Sequence, residues 1–451
     1  MAEQPNILVI CTDQQSANAM SCNGNEDLET PAMDRLAESG VLFENAYCTD
    51  PVCTPSRGSL VTGRMPHETG ITENHIGIPE EYRSDELGAV FDRGGYDCAY
   101  AGKWHLPEPS IPDGHGFRKI CGFDDDHVAD DCVDFLEQDR DRPFFLSAHF
   151  DNPHNICEWA RDQPLPWGNV SDVPVEECPN LPENFAIPPF EPEEIRPAMA
   201  DDRFAMGAMV DASPAEWRRY RAAYFRLVEK VDREIERILD ALSEAGLADE
   251  TVVVFTSDHG DGHGAHQISQ KWWLYEEIVR IPFIVSYPPE TATSDRDSDH
   301  LVSNGLDLFP TLCDYAGIEP PDDLLGDSVR EIARTGSASD WRDYVVTEVF
   351  SSSTDHNPID GRMVRTERYK YIVYERGRQR EQLFDLRSDP GELTDLSVNA
   401  DYRDVLDDHR ELLLEWCKRT DDTFAVPSGL SGVPGIPGYD PDEVRAYLED
   451  G

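Results

Sequence analysis

The chain has 451 residues, long enough for one large domain with a smaller companion and for a substantial buried core. It carries 90 acidic and 39 basic residues, which gives a formal net charge of -51. A charge of this sign and size argues against nucleic acid and anionic membrane surfaces as partners, because both would be repelled.

The acidic residues are spread along the whole chain and interleaved with a normal apolar set, so they do not form a disordered acidic tail. Lysine occurs only six times, whereas arginine is plentiful. This composition resembles the solvated acidic surface of proteins from extreme halophiles. Because molar salt screens such a surface over about 3 Å, we expect the stability of this protein to depend on salt.

The first ten residues have no basic start and no long apolar run, so we expect neither a secretory signal nor a transmembrane helix. The 11 cysteines are scattered and show no paired C-x-x-C spacing, which is typical of buried thiols in a reducing compartment. A cytoplasmic location is the resulting expectation.

Four short apolar runs each end in polar, chemically capable residues. Runs of this length predict buried strands of a largely parallel sheet. Because ligands of open α/β sheets gather outside the carboxyl ends of the strands, we expect these polar residues to converge. The runs cover residues 6–12, 97–101, 144–149 and 251–256, and they lead to Asp13, to Lys103 and His105, to His154, and to Asp258 and His259.

Apolar spacing predicts helices over residues 30–39, 220–242 and 307–316, and a further sheet edge at 281–286. Residues 155–215 are rich in Pro, Asp and Glu and predict an extended insertion near the strand ends.

The pattern changes in the last quarter of the chain, where strands at 344–349 and 369–374 and a helix near 405–416 predict an α+β unit. We therefore predict an α/β domain over residues 1–335, with a largely parallel central sheet flanked by helices. A smaller α+β domain over residues 336–451 would end in a Pro/Gly-rich tail that wraps the surface.

Residues 53–57 form the most informative segment, a cysteine followed by proline and arginine in a C-x-P-x-R spacing. Pro55 suits the first turn of a helix and Gly63 suits its end. The free N–H groups and positive dipole end of this helix would point at residue 53. The segment predicts that Cys53 is a nucleophile in an anion site, although a buried structural cysteine has the same local signature.

Several other segments complete a recognisable series in order and spacing. They are LVTGR at 60–64, GKWH at 102–105, SDHGD at 257–261, YE at 275–276, RIP at 280–282 and LFDL at 383–386. Together with the cysteine segment they resemble the sulfatase family, the formylglycine-dependent hydrolases of the alkaline phosphatase superfamily. The resemblance runs over most of the chain.

The resemblance implies that Cys53 is oxidised to formylglycine, which makes a formylglycine-generating enzyme an expected partner. One hydroxyl of the hydrated aldehyde would attack sulfur, and the other would later expel sulfate by re-forming the aldehyde. A thiol cannot do this second step, and a serine would leave a stable ester that needs water to attack it. Arg57 would hold the nucleophile and its neighbouring charges in place.

The resemblance also implies a divalent cation held by Asp13, Gln14, Asp258, His259 and the modified residue 53. Oxygen-rich ligation favours Ca²⁺, the ion we expect, or Mg²⁺, and the imidazole leaves room for Mn²⁺. Many family members have a second Asp at the position of Gln14 and an Asn at that of His259. The Asp–His pair is more like the phosphonate monoester hydrolase and choline sulfatase branches, so phosphonate monoesters and phosphodiesters stay open as substrates.

Four further residues complete the implied catalytic set. Lys103 and Lys271 would neutralise the non-bridging oxygens of the ester, although Lys271 also fits a solvated helix. His105 would be the base that deprotonates the hemiacetal hydroxyl, and His154 would be the acid that protonates the leaving alcohol.

Other interpretations of the same residues stay open. His259, His263 and His266 form a candidate three-histidine metal site, but the glycines between them favour a flexible loop. We prefer His259 as the one metal ligand among them, with His266 lining the substrate pocket. The leading prediction is a hydrolase of a small-molecule or saccharide sulfate ester, and a non-catalytic anion-binding protein is the alternative if Cys53 stays a thiol.

Overall fold

The computed structural model describes residues 4–107, 112–200, 209–291, 295–350 and 360–427. The strands within these ranges are β1 (Asn6–Asp13), β2 (Val41–Phe43), β3 (Ala46–Tyr47), β4 (Asp97–Gly102), β5 (Arg118–Lys119), β6 (Phe144–Pro153), β7 (Thr251–Ser257), β8 (Phe283–Ser286), β9 (Asp295–Asp297), β10 (Val302–Ser303), β11 (Tyr344–Val349), β12 (Gly361–Thr366), β13 (Tyr369–Tyr374) and β14 (Glu381–Asp385).

The α-helices of the same ranges lie between these strands and after them. They are α1 (Pro31–Glu38), α2 (Cys53–Thr62), α3 (Pro66–Thr69), α4 (Leu87–Arg93), α5 (Asp125–Leu136), α6 (Ile156–Ala160), α7 (Ile195–Met199), α8 (Pro214–Glu244), α9 (Glu276–Val279), α10 (Asn304–Ala316), α11 (Arg330–Thr335) and α12 (Arg403–Thr420). None of these helices is long and apolar enough to cross a membrane.

The central sheet has eight strands in the order β5-β4-β6-β1-β7-β8-β2-β9. Its middle strands β4, β6, β1 and β7 are parallel neighbours, and they are the four apolar runs predicted from the sequence. The prediction of a largely parallel sheet is confirmed. The segment predicted at 281–286 does form a strand, β8, but its placement at the sheet edge is wrong, because β8 pairs antiparallel with both β7 and β2, and β9 lies beyond them.

The central strands are buried on both faces, which explains why they read as continuous apolar runs. Along β1, Ile7 and Val9 point into one core cluster, whereas Leu8 and Ile10 point into the other. The 31-residue helix α8 covers the second face, and its apolar stripe packs there as the spacing predicted. Both faces are therefore sealed, and only the ends of the strands are left for chemistry.

The carboxyl-terminal part holds a four-stranded antiparallel sheet in the order β11-β12-β13-β14, covered by α12. Strands β11 and β13 have the predicted bounds, whereas β12 and β14 were not predicted. The division between residues 335 and 336 stays a prediction, and the tail lies outside the described residues from position 428 onward.

Candidate active site

Cys53 is the first residue of α2, directly after Val52 in extended conformation. The helix starts two residues earlier than the position of Pro55 suggested, and it ends as predicted at Gly63, which has a φ of 70°. All ten residues of α2 are buried. The thiol therefore sits at the positive end of a helix dipole with little water to screen it.

Arg57 lies one turn further along α2 and joins the two aspartates of the sheet edge. Its Nε atom donates to Asp258 Oδ2 at 2.9 Å, and its Nη2 atom donates to Asp13 Oδ2 at 3.0 Å. Its Nη1 atom donates to the carbonyl oxygen of Lys103 at 2.9 Å. One buried guanidinium thus fixes residues from the ends of β1, β4 and β7.

The thiol of Cys53 has ionisable groups on three sides. Its Sγ atom lies 2.7 Å from Lys271 Nζ, 3.4 Å from His259 Nε2 and 3.7 Å from Asp13 Oδ1. Burial and Asp13 disfavour the thiolate, but Lys271, Lys103 and His259 outweigh them and hold the pKa of Cys53 well below its usual value. The surrounding cations therefore stabilise a negative charge at residue 53.

One ligand atom from each of Asp13, Cys53, Asp258 and His259 lies within 4.8 Å of the others. Burial and the neighbouring Asp13 carboxylate raise the pKa of Asp258 to about 6. A divalent cation between the two carboxylates would remove that penalty, so the donor set fits such an ion. His259 Nδ1 lies 2.9 Å from the carbonyl oxygen of Gly260, and donation there leaves Nε2 free to face the cluster.

Gln14 follows Asp13 and lies beside this cluster in a left-handed conformation with a φ of 70°. Its backbone N–H donates to Asp258 Oδ1 at 3.1 Å. Its side-chain amide donates to Asp261 Oδ2 at 2.8 Å and contacts the thiol of Cys157. The side chain is held next to the cluster, and its part in binding a cation stays a prediction.

Lys103 extends from the end of β4 into the same region. Its Nζ atom lies 2.7 Å from Asp13 Oδ2 and 2.9 Å from Asp151 Oδ1. Burial works against its charge, but Asp13 and Asp151 outweigh burial and raise the pKa of Lys103 well above its usual value. The site therefore favours the charged form of Lys103.

The two predicted proton carriers lie at the open side of the site. His105 has an exposed side chain that hydrogen-bonds Cys53, and its pKa is lowered because desolvation by the surrounding pocket outweighs that bond. His154 is 22% exposed, and its Nδ1 atom lies 3.9 Å from Asp151 Oδ1. Both follow strand ends, β4 and β6, as the sequence pattern predicted.

Two family models match the chain. The model described as Sulfatase matches residues 5–318, and the model described as N-sulphoglucosamine sulphohydrolase, C-terminal, matches residues 264–419. The first match covers more than half of the chain. The chain belongs to the sulfatase family. Sulfatases are sulfuric ester hydrolases, and this is the enzyme class of the chain.

Relatives of this sulfatase match most of its length. A Delta 4,5-hexuronate-2-O-sulfatase of Bacteroides thetaiotaomicron is 30% identical, over 99% of this chain and 97% of the relative. The structure of a 2-O GAG sulfatase is 29% identical, with a TM-score of 0.85 over 97% of this chain and 98% of the other. The phosphonate monoester hydrolase of Agrobacterium radiobacter, at 22% identity over 92% of this chain and 96% of its own, shares the fold with a TM-score of 0.77.

The three-histidine interpretation does not fit this sulfatase. His263 Nδ1 faces Arg221 Nη1 at 2.9 Å, and its Nε2 faces Asn18 Oδ1 at 3.1 Å, so both ring nitrogens are occupied away from His259. His266 is fully buried and lies 4.2 Å from the ring of Tyr275. The prediction that His266 lines the substrate pocket stays a prediction, and in this structure its buried ring packs against Tyr275.

Sequence reasoning missed Asp151, the acidic residue that holds Lys103 in place. Its Oδ2 atom accepts from Asn155 Nδ2 at 2.7 Å and from Trp167 Nε1 at 2.9 Å, while its Oδ1 atom pairs with Lys103. Asp151 lies near the end of the apolar run that leads to His154, so its position at a strand end was a usable signal. Trp167 lies in the insertion, and no feature of the sequence there indicated its contact with Asp151.

Proposed function

We propose that this enzyme hydrolyses the sulfate ester of a saccharide through a formylglycine derived from Cys53, with a divalent cation bound beside it. The observation that carries the proposal is the position of the Cys53 side chain. It lies at the buried start of α2, within 4 Å of Asp13, His259 and Lys271. The family resemblance assigns these same residues to one reaction.

The Sγ position of Cys53 marks where the hydroxyls of a hydrated formylglycine would lie. That group supplies a nucleophile for the ester sulfur and a second hydroxyl that releases sulfate. Lys271 Nζ, 2.7 Å from this position, would stabilise negative charge on both the nucleophile and the ester. Arg57 bonds Asp13 and Asp258 and would keep the carboxylates in place.

The cation would be held by Asp13, Gln14, Asp258, His259 and residue 53, and it would supply Lewis-acid polarisation of the ester oxygens. We propose Ca²⁺, with Mg²⁺ and Mn²⁺ as alternatives, because the donors are mainly oxygen atoms with one imidazole. Activity restored to chelated protein by each ion in turn identifies the metal.

The proton transfers fall to the two histidines at the open side. His105 hydrogen-bonds residue 53, so it is placed to take the proton from the hydroxyl that remains there. His154 lies near Asp151, the partner of Lys103, and from there it would protonate the leaving alcohol. Lys103, paired with Asp13 and Asp151, would contact a non-bridging oxygen.

The saccharide part of the proposal is supported by two relatives, which are named as a hexuronate-2-O-sulfatase and a 2-O GAG sulfatase.

We also propose that the acidic surface belongs to a halophilic protein and that the enzyme works in the cytoplasm after action by a formylglycine-generating enzyme. The net charge of -51 disfavours nucleic acid and membrane partners.

A phosphonate monoester or phosphodiester is the second candidate substrate. Gln14 and the Asp258–His259 pair support it, since they resemble that branch of the superfamily. The test measures rates on a panel of sugar sulfates and on a phosphonate monoester, in molar salt with Ca²⁺, Mg²⁺ or Mn²⁺ added. A faster phosphonate reaction would favour the second candidate, and failure on both by protein with formylglycine at residue 53 would refute both.

Mass spectrometry of the peptide that carries Cys53 tests the nucleophile. Formylglycine lowers the peptide mass by about 18 Da relative to cysteine, or leaves it nearly unchanged once hydrated. An intact thiol in active protein from the native host would refute the mechanism and favour anion binding or a different nucleophile.

A further inference from the structure

Two aromatic side chains, Phe123 and Trp167, lie in contact with each other beside Lys103 and Asp151. Their ring centroids are 5.7 Å apart, and their planes meet at 70°. Phe123 is 52% exposed, and Trp167 is half-buried. Neither ring belongs to a core cluster of the described residues, so neither is explained by packing in the interior.

Both rings contact residues next to the catalytic groups, Phe123 through Lys103 and Trp167 through Asp151. The Nζ atom of Lys103 lies 5.5 Å from the centroid of the Phe123 ring while it pairs with Asp13 and Asp151. The indole Nε1 of Trp167 donates to Asp151 Oδ2 at 2.9 Å, and Asp151 is 3% exposed. Phe123 thus lies directly over the ammonium that would contact the ester, and Trp167 is one side chain away from it.

We propose that Phe123 and Trp167 form a wall on which the pyranose ring of the substrate stacks, and that this wall selects sugar sulfates over open-chain sulfates. The inference rests on the proposed function and extends it to the organic part of the substrate. A pyranose ring presents C–H groups on its flat faces, and an aromatic face with its negative quadrupole attracts them.

The geometry suits this role because the indole of Trp167 is held in place before the substrate arrives. The hydrogen bond to buried Asp151 fixes the indole of Trp167, so binding would restrict few new rotamers. The angle of 70° between the rings leaves a corner instead of a flat stack, and a ring held by its sulfate at Lys103 would enter that corner.

Phe123 could also act by shielding Lys103 from water, and this role requires a different kind of side chain from stacking. Its ring lies over the Lys103 ammonium and shields it from water, which any apolar side chain of similar size would do. Stacking requires a flat aromatic face instead. Phe123→Tyr keeps the face, Phe123→Leu keeps only the cover, and Phe123→Ala removes both. At the other ring, Trp167→Phe keeps a face but loses the bond to Asp151.

The experiment measures kcat/KM for the monosulfates of methyl glucopyranoside and for butyl sulfate. We expect Phe123→Ala and Phe123→Leu to lower kcat/KM on the best pyranoside sulfate about 10-fold and on butyl sulfate less than 3-fold. Phe123→Tyr should keep the preference of the parent for the pyranoside sulfate over butyl sulfate. Leu414→Ala, a truncation of an exposed apolar side chain on α12, is the matched control and should change neither rate.

If Phe123→Leu behaves like the parent, or if both substrates lose equally, the stacking role is wrong while the sulfatase function stands. If the parent hydrolyses no sulfate ester, quenching of tryptophan fluorescence by the pyranoside sulfates reports binding. Quenching that is lost in Trp167→Phe would then support the wall without the reaction, and its absence would overturn both.

Discussion

The Nζ atom of Lys271 lies 2.7 Å from the Sγ atom of Cys53, although the two residues are 218 positions apart in the chain. Lys271 is 5% exposed and Cys53 is 0% exposed, so the contact is shielded from water. Burial disfavours the ammonium, but Cys53 and Asp13 outweigh it and raise the pKa of Lys271. An ammonium whose charge the site favours therefore lies against the position where the nucleophilic hydroxyl of the proposed formylglycine would stand.

Replacement of this cation should slow the chemical step. We predict that Lys271→Met lowers kcat by about 10²–10³ on a sulfate ester, the range found when one preorganised charge-stabilising donor is removed. KM should change much less, because the charge of the nucleophile develops mainly in the transition state. Steady-state kinetics on protein with measured formylglycine content gives both constants.

Lys418→Met is the control for that variant, because Lys418 is exposed on α12 and the same substitution there should leave kcat unchanged. Equal kcat values for Lys271→Met and the parent would remove Lys271 from the mechanism. A loss confined to KM would assign it to binding alone.

The cation site gives a prediction that does not depend on turnover. Ca²⁺ at about 100 times its dissociation constant should stabilise the folded protein by about 2.7 kcal/mol, provided that the unfolded chain does not bind it. Asp13→Asn should abolish the increase in the unfolding midpoint, whereas Asp340→Asn, an exposed carboxylate, should preserve it. Thermal melts in molar KCl separate specific binding from general screening, and an undiminished Ca²⁺ effect in Asp13→Asn would contradict the site.

The strand ends of this protein were predictable because buried parallel strands consist of continuous runs of apolar residues. The runs that became β1, β4, β6 and β7 needed no tertiary information, and their carboxyl ends fixed where Asp13, Lys103, His154 and Asp258 would meet. The start of α2 was misjudged by two residues, since Pro55 is accepted anywhere in a first turn.

The rest could not be predicted from local pattern, because it depends on contacts between distant segments. Nothing near Trp167 signals that its indole bonds Asp151, and nothing near Phe123 places its ring over Lys103. The contact made by His266 has the same origin. Its position just after Gly264 and Ala265 is typical of a loop residue, but its ring packs on Tyr275 in the interior.

Burial of Cys53 predicts when the modification must occur. The side chain is 0% exposed at the start of a fully buried helix, so a modifying enzyme could reach it only before the chain folds. We predict that folded thiol protein stays a thiol after incubation with a formylglycine-generating enzyme, whereas a peptide of residues 48–66 is converted. Peptide mass spectrometry reports both, and conversion of the folded protein would show that α2 opens locally.

His67 predicts how stability varies with pH. It joins α3 to the carboxyl-terminal part, because its Nδ1 lies 2.5 Å from Glu348 Oε1 on β11 and its Nε2 lies 3.0 Å from the carbonyl oxygen of Thr420 on α12. Burial opposes the charged ring, but the hydrogen bond to Glu348 outweighs it and raises the pKa of His67 to about 9. The folded protein holds this proton more tightly than the unfolded chain does.

The contribution of His67 is therefore complete below pH 6.5 and is lost as the pH rises through 9, a change on the order of 3 kcal/mol. The difference in unfolding free energy between the parent and His67→Gln should be largest near pH 6 and should shrink by pH 9.5. His127→Gln, 65% exposed on α5, is the control. A constant difference across this range would mean that the charge of His67 does not link the two parts.

The net charge of -51 gives the last prediction, on salt. Acidic side chains repel one another in dilute buffer, and 1 M salt shortens the screening length to about 3 Å, so the unfolding midpoint should rise with KCl. The same surface repels an anionic sulfate ester, so kcat/KM should also rise as the repulsion is screened. A neutral osmolyte at equal osmolality should not raise kcat/KM, because it leaves the charges unscreened. A melt that is unchanged between dilute buffer and molar KCl would rule out the halophilic interpretation, since repulsion between so many carboxylates would then contribute nothing to stability.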